Sequence, residues 1–331
     1  MKKWIKVLSG LLAVLLVACI GLVAWMYSIY KGISDDPFSA FKKPSTGSTI
    51  TVKDSQNIEH TQTQGVVNIL LLGIDSNAAR EAAHKGYRSD TMILCSFDFT
   101  NNRLNMISVP RDTRTKVNKL DYDTGEVVDQ TTNRINTAYT FGGGPDHYGA
   151  QNAMDCMEEF LSCDGEFDIP IDYYVSIDLD GLPKLAESLG GVEVVLDRTL
   201  SGIGKKGETV TINKKNIDDY LRRRYDDGGG DDGRAARQQE FIEAVIKKIQ
   251  KMGAVQAAPK LFNDVLAYTK TNLTMEQIIA LAKFADGFDM DTINRYRVTG
   301  TGKTFGGAWM LEADMDGLYD FILEEFYDPV A

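Results

Sequence analysis

Histidine is nearly missing from this chain: three residues in 331, scattered at positions 60, 84 and 147, cannot gather into an imidazole-built metal site. Cysteine is scarce as well. The four present exclude a disulfide-dense scaffold. Cys19 falls in the first apolar run, Cys95 in a predicted strand, and Cys156 and Cys163 flank a predicted helix end, where pairing stays open. Positive charge is in deficit too, since 36 Lys and Arg stand against 47 Asp and Glu for a net charge of -11. An acidic chain with no basic reading element excludes direct nucleic-acid binding. Internal repeats and low-complexity tracts are also missing, so neither a solenoid nor a disordered array fits.

What is there begins with a tripartite N-terminus. Met1-Lys2-Lys3-Trp4-Ile5-Lys6 carries three positive charges, and Val7 to Tyr30 then runs without a charge. That length spans a hydrocarbon core of about 30 Å. The sequence therefore predicts one transmembrane helix within residues 1–30. Lysines before it and Asp35 and Asp36 after it place the N-terminus in the cytoplasm and the remainder outside the cell. Leu16-Val17-Ala18-Cys19 is similar to a lipoprotein cleavage box, but the uncharged residues from Ile20 to Tyr30 favour a retained anchor. Residues 31–64 are rich in Ser, Thr, Lys, Gln, Gly and Pro, a composition that reads as a flexible extracellular spacer. Residues 65–331 form one large extracellular domain without a second linker.

Within that domain, Val66 to Ile74 is a short apolar run suited to a strand buried on both faces and ended by Asp75. Thr91 to Phe99 and Arg103 to Val109 are predicted as the second and third strands, turned by Asn101-Asn102. If those two form a hairpin, Arg111 comes near Arg88 and Asp90, and Asp75 joins them when the first strand lies alongside. Helices are predicted over Tyr148 to Leu161, Gly181 to Ser188 and Gln238 to Met252, with strands at Tyr173 to Ile177 and Gly190 to Leu196. The alternation specifies an α/β fold: a central mixed β-sheet sandwiched by helices, preceded by the N-terminal transmembrane helix. Phe241, Val245, Ile246 and Ile249 share one helical face, which serves as core and can also line a groove for a lipid tail.

Five arginines crowd into the sixteen residues from Arg222 to Arg237, around a glycine-rich loop. Guanidinium forks hold phosphate oxygens bidentately, and a helix N-terminus adds N–H donors. The competing reading is a surface loop whose charges neutralise one another. Thr299-Gly300-Thr301-Gly302-Lys303-Thr304 is superficially similar to a nucleotide phosphate loop, but Arg297 stands where that loop needs glycine.

The runs Asn68 to Asp75, Arg88 to Leu94, Ser108 to Thr113, Arg134 to Gly143, and Arg222 to Gln238 together resemble the LytR-CpsA-Psr family, in register over residues 66–252. The resemblance implies a cell-envelope phosphotransferase. Such an enzyme takes a glycopolymer, teichoic acid or capsule among the options, from an undecaprenyl-pyrophosphate carrier and attaches it to peptidoglycan through a phosphodiester bond. It further implies that Asp75 and Asp90 hold Mg²⁺ and that Arg88, Arg111, Arg222, Arg224, Arg234 and Gln238 bind the pyrophosphate. Arg111 doubles as a catalytic residue, and Asp231 is the base or orienting group. Asn77 replaces an arginine frequent in the family, for which Arg80 is the expected substitute, and Arg134 replaces a frequent lysine. Two alternatives stay open: a polyprenyl-pyrophosphate hydrolase with water as acceptor, and a non-catalytic envelope regulator that binds the carrier.

Overall fold

The computed structural model describes residues 31–32, 35–41, 50–75, 87–224, 226–253, 264 and 266–330. The expected membrane span at residues 1–30, and Asn77 and Arg80, lie outside the described residues. Among the described residues no helix is long and apolar enough to cross a membrane.

Strand β1 (Thr51–Lys53) and strand β2 (Glu59–Gln62) are followed by β3 (Val66–Asp75), β4 (Arg88–Asp98), β5 (Arg103–Ser108), β6 (Arg114–Leu120) and β7 (Val127–Arg134). Helices α1 (Thr137–Phe141) and α2 (Gly149–Leu161) lead to β8 (Tyr173–Asp178) and α3 (Leu182–Ser188). Then come the ribbon β9 (Val192–Val195) and β10 (Thr209–Ile212), α4 (Ile217–Arg222) and the long α5 (Gly230–Met252). The chain closes with β11 (Thr269–Thr271), α6 (Met275–Gly287), β12 (Ile293–Arg297), β13 (Gly300–Phe305), β14 (Ala308–Ala313), α7 (Met315–Phe326) and β15 (Tyr327–Pro329).

A six-stranded sheet in the order β11-β8-β3-β4-β5-β12 forms the centre. It is mixed, because β3 pairs parallel to β8 and antiparallel to β4, while β12 runs parallel to β5. In β3, side chains alternate across the pleat and both faces are covered. Leu70, Leu72 and Ile74 pack with residues of α1, α2 and α7, whereas Val67 and Ile69 pack toward Ala280 of α6. On that second face of β4 and β5, Ile93, Cys95 and Met106 meet Ile246 of α5 and Phe284 of α6. The β4–β5 turn is fixed by Asp98, 1% exposed, which accepts from the backbone N–H groups of Thr100 and Asn101 and from the side chains of Asn101 and Arg103.

Two features depart from the sequence reading, and the pairing of Cys156 with Cys163, left open there, is decided. Part of the expected spacer folds, since β1 and β2 join β15 in a small sheet, and Phe41 and Val52 are buried. Only alternate residues of such short edge strands meet the core, so their composition stays polar. The strand at Gly190 to Leu196 shrinks to β9 and pairs only with β10, outside the central sheet. Cys156 and Cys163 do not pair. Both are free and buried, and burial pushes their thiols up to about 11 and about 12.

Candidate functional site

A cavity of ≈ 500 Å³ lies between the β3–β4 face and α5. Its walls are apolar, from Leu71, Ile93, Cys95 and Phe97 on the sheet to Phe241, Val245 and Ile246 on the helix. Leu182, Leu185 and Leu221 close a side. From Asp90 to Phe97 the strand runs about 23 Å, so the cavity is elongated along β4. Its polar end gathers the carboxyl end of β3, the start of β4 and the start of α5. There Asp75 and Asp90 face Arg111, Arg222, Arg224, Arg234 and Gln238. Four guanidinium groups against two carboxylates make this mouth positive within an acidic chain.

The β-sheet register explains the convergence. Asp75 is the cross-strand partner of Arg88, and Gly73 pairs with Thr91, so a register shift next to Gly73 sets Asp90 off the ladder. Ile93 pairs with Ser108, which carries the end of β5 past the start of β4. Arg111 Nη1 then donates to Asp90 Oδ2 at 2.9 Å. The hairpin geometry expected from the sequence therefore places Arg111 on Asp90, with both side chains part-buried. Asp112, on the other side, accepts from Arg111 Nε at 3.4 Å and lies 3.3 Å from Arg134 Nε. Asp90, Arg111, Asp112 and Arg134 thus form one alternating chain of charges.

The arginine cluster divides into two jobs. Arg237 is 1% exposed and donates to Tyr220 O at 2.6 Å, to Gly228 O at 2.7 Å and to Arg223 O. Arg223 pairs with Asp219 and, at 2.9 Å, with Asp227, and donates to Ser201 O. These two side chains hold the loop, while Arg222, Arg224 and Arg234 reach the cavity. Arg222 lies 3.3 Å from Asp180 and 3.6 Å from Asp218 as well. Charge neutralisation and phosphate-facing arginines therefore coexist in one segment.

Helix α5 begins eight residues before the predicted apolar stripe, at Gly230 rather than Gln238. Gly229 and Gly230 take φ of +73° and +69°, and a Cβ on Gly233 would come within 2.2 Å of Gly228 O. The glycine-rich stretch is thus a tight turn and a first helical turn. Arg234 and Gln238 escape an amphipathic pattern because they line the cavity mouth.

Of the residues singled out in the sequence, Asp75, Asp90, Arg111, Arg222, Arg224, Arg234 and Gln238 meet at one cavity. Arg88 is exposed and is not among the residues lining it. Asp231 sits in the first turn of α5, with its side chain outside the described residues. Asp112 was missed although it adjoins Arg111, and Asp232 and Arg297 were missed because their pairing is made across the fold. Among the described residues no group of three or more His, Cys, Asp or Glu is placed to hold a metal. Two carboxylates at one mouth still suit Mg²⁺, which keeps waters and takes phosphate oxygens.

The LytR_cpsA_psr family profile matches residues 38–322. TagU of Halalkalibacterium halodurans, named a polyisoprenyl-teichoic acid–peptidoglycan teichoic acid transferase, is 31% identical over 315 residues, covering 94% of this chain and 93% of that protein. TagU of Bacillus subtilis, of the same name, is 30% identical over 260 residues, 78% of this chain and 76% of that one. The crystal structure of B. subtilis TagV superposes with a TM-score of 0.60 at 26% identity, covering 78% of this chain and 96% of that one.

Proposed function

The chain belongs to the LytR_cpsA_psr family, and from that membership we propose that it transfers a glycopolymer from a polyprenyl-pyrophosphate carrier to peptidoglycan. The observation that carries the reading is one cavity that joins an apolar barrel to a cationic mouth. A prenyl tail suits the barrel, where each buried CH₂ contributes about 0.8 kcal/mol. A pyrophosphate suits Arg111, Arg224 and Arg234 at the mouth. The relatives' names, teichoic acid transferases acting on a polyisoprenyl-linked donor, agree with both halves.

In the reaction we envisage, an acceptor hydroxyl oxygen forms a bond to the phosphorus that bears the glycopolymer. The bond from that phosphorus to the bridging oxygen breaks, its electron pair leaves with the polyprenyl phosphate, and the hydroxyl proton passes to a base or to water. Glycopolymer and acceptor end joined by a phosphodiester. Arg111, Arg224 and Arg234 neutralise the oxygens on which charge gathers, and holding the two reactants in line does most of the rest. Asp90, paired with Arg111, and Asp75 would hold Mg²⁺, which when bound adds positive charge beside the phosphates. Arg88, the cross-strand partner of Asp75, is assigned to the pyrophosphate on the family resemblance. Asp231, on the first turn of α5, is the residue we assign as the base or orienting group.

We place the domain outside the cell on an N-terminal membrane anchor with a cytoplasmic basic tip. Where the described chain meets the domain, Phe41 packs 5.5 Å from Phe99 and 5.6 Å from Tyr173. The chain therefore joins the domain at the apolar end of β4, away from Asp90, where a tail arriving from a bilayer would enter.

The test is to incubate the full-length protein in detergent with a short lipid-linked saccharide and a peptidoglycan oligomer, with and without Mg²⁺, and weigh the products. A phosphodiester-linked conjugate is expected, with Mg²⁺ required. Saccharide phosphate alone would indicate a hydrolase, and an unreacted donor would leave the carrier-binding regulator as the reading.

A further inference from the structure

The segment Thr299 to Thr304 is no phosphate loop; it supplies strand β13, paired antiparallel with β14 from Gly300↔Ala313 to Phe305↔Ala308. The second strand of this hairpin reaches the site through Trp309 and Leu311. Below it lies a second cavity of ≈ 140 Å³, room for about one ring. Asp90, Thr91, Arg111, Arg234 and Gln238 line both cavities, so they form the wall between them. The far side of the small cavity is made by Asp112, Asp232, Arg297, Trp309 and Leu311.

Displacement at phosphorus runs roughly in line, so the attacking oxygen must approach from the side opposite the departing one. With the prenyl phosphate leaving into the large cavity, the incoming hydroxyl must arrive through the small one. We propose that this small cavity is the acceptor subsite, and that Trp309 is the platform on which a pyranose ring of a peptidoglycan glycan strand stacks. The proposal rests on the transferase reading given above.

Trp309 is built for this. It is a large apolar side chain left 49% exposed, beside charged residues rather than in a core. Its indole lies across Gly302: a Cβ there would meet ring atoms Cζ2, Cε2 and Nε1 at 2.6, 2.8 and 2.9 Å. Glycine at 302 therefore lets the ring lie against the ribbon. A flat apolar surface with an N–H at its edge matches a sugar, whose C–H face is apolar and whose rim is hydroxylated. The platform is also tied to the chemistry. Trp309 O accepts from Arg134 Nε at 2.9 Å, and Arg134 leads through Asp112 to Arg111. Asp232, paired with Arg297, brings a carboxylate able to accept from the sugar's hydroxyl or amide groups.

The experiment uses the full-length protein in detergent and the transfer assay above, with Trp309→Ala and Trp309→Phe. Loss of stacking is expected to raise the acceptor KM about tenfold in Trp309→Ala. The donor KM should be unchanged, and more donor should be hydrolysed by water. Trp309→Phe, which keeps a ring, should recover most of the acceptor affinity. An unchanged acceptor KM in Trp309→Ala, or an equal rise in donor KM, would overturn the subsite. A binding readout separates this failure from failure of the transferase reading. A peptidoglycan oligomer should shift the tryptophan emission of the wild type but not of Trp309→Phe, in which Trp4 and Trp25 remain. A shift without transfer would keep the saccharide subsite and sink the reaction, while no shift in an active enzyme would sink the subsite.

Discussion

At the scale of single residues, arginines a few positions apart differ in kind. Arg237 is enclosed and satisfies three backbone carbonyls of the loop between α4 and α5. Arg224 lines the cavity mouth. Arg237→Ala should therefore lower stability by about 3 kcal/mol, because buried carbonyls lose their donors. Arg224→Ala should leave the melting temperature near that of the wild type and slow transfer about 10- to 100-fold, the worth of one charge-assisted contact. Thermal melting measured beside transfer rates checks both, and a stable Arg237→Ala variant would refute the division of labour. The sequence shows the density of arginine but not this division. Which guanidinium turns inward depends on carbonyls from Tyr220, Arg223 and Gly228 that only the folded loop presents.

At the scale of elements, the meeting of β3, β4 and β5 decides whether Asp75 and Asp90 act as a pair. The alternative is that Asp90 serves only its 2.9 Å contact with Arg111 while Asp75 faces Arg88. A shared metal predicts that Asp75→Asn and Asp90→Asn each cost most of the Mg²⁺-dependent rate and that the double variant costs little more. Independent roles predict additive losses in free energy. A double-mutant cycle across a Mg²⁺ titration distinguishes them, and full activity in chelator would remove the metal altogether. The strands themselves were legible because the apolar-rich runs Val66 to Ile74, Thr91 to Phe99 and Arg103 to Val109, closed by Asp75, Asn101-Asn102 and Pro110, have few other uses, although β4 begins earlier than read, at Arg88. Helix α5 was legible only from Gln238 onward. Its first turn carries no apolar period, and its start is set by two left-handed glycines.

For the molecule as a whole, stability is tied to pH through several part-buried carboxyls, Glu158 among them. Glu158 on α2 accepts from the backbone N–H of Ile171, yet burial dominates and pushes it up to about 7. A carboxyl raised in the folded state contributes stability that is fully present below its unfolded value near 4.5 and is lost as pH rises through about 7. Melting temperature should fall over that interval in the wild type and fall less in Glu158→Gln; identical slopes would exclude Glu158 as a cause. The sequence by itself determined the α/β class, the strand hairpin that seats Arg111 on Asp90, and the arginine-dense segment from which most of the cationic mouth is drawn, while the choice of arginines within it came from the family resemblance. These are written in short-range signals: side-chain period, turn residues and charge density. Tertiary structure alone decided that the stripe of α5 lines an open cavity rather than a closed core, since periodicity reports a buried face without saying what fills it. It alone turned Thr299 to Thr304 into a hairpin carrying Trp309, and folded part of the expected spacer onto β15. Each of those outcomes depends on partners distant in sequence, whose proximity no local pattern of residues encodes.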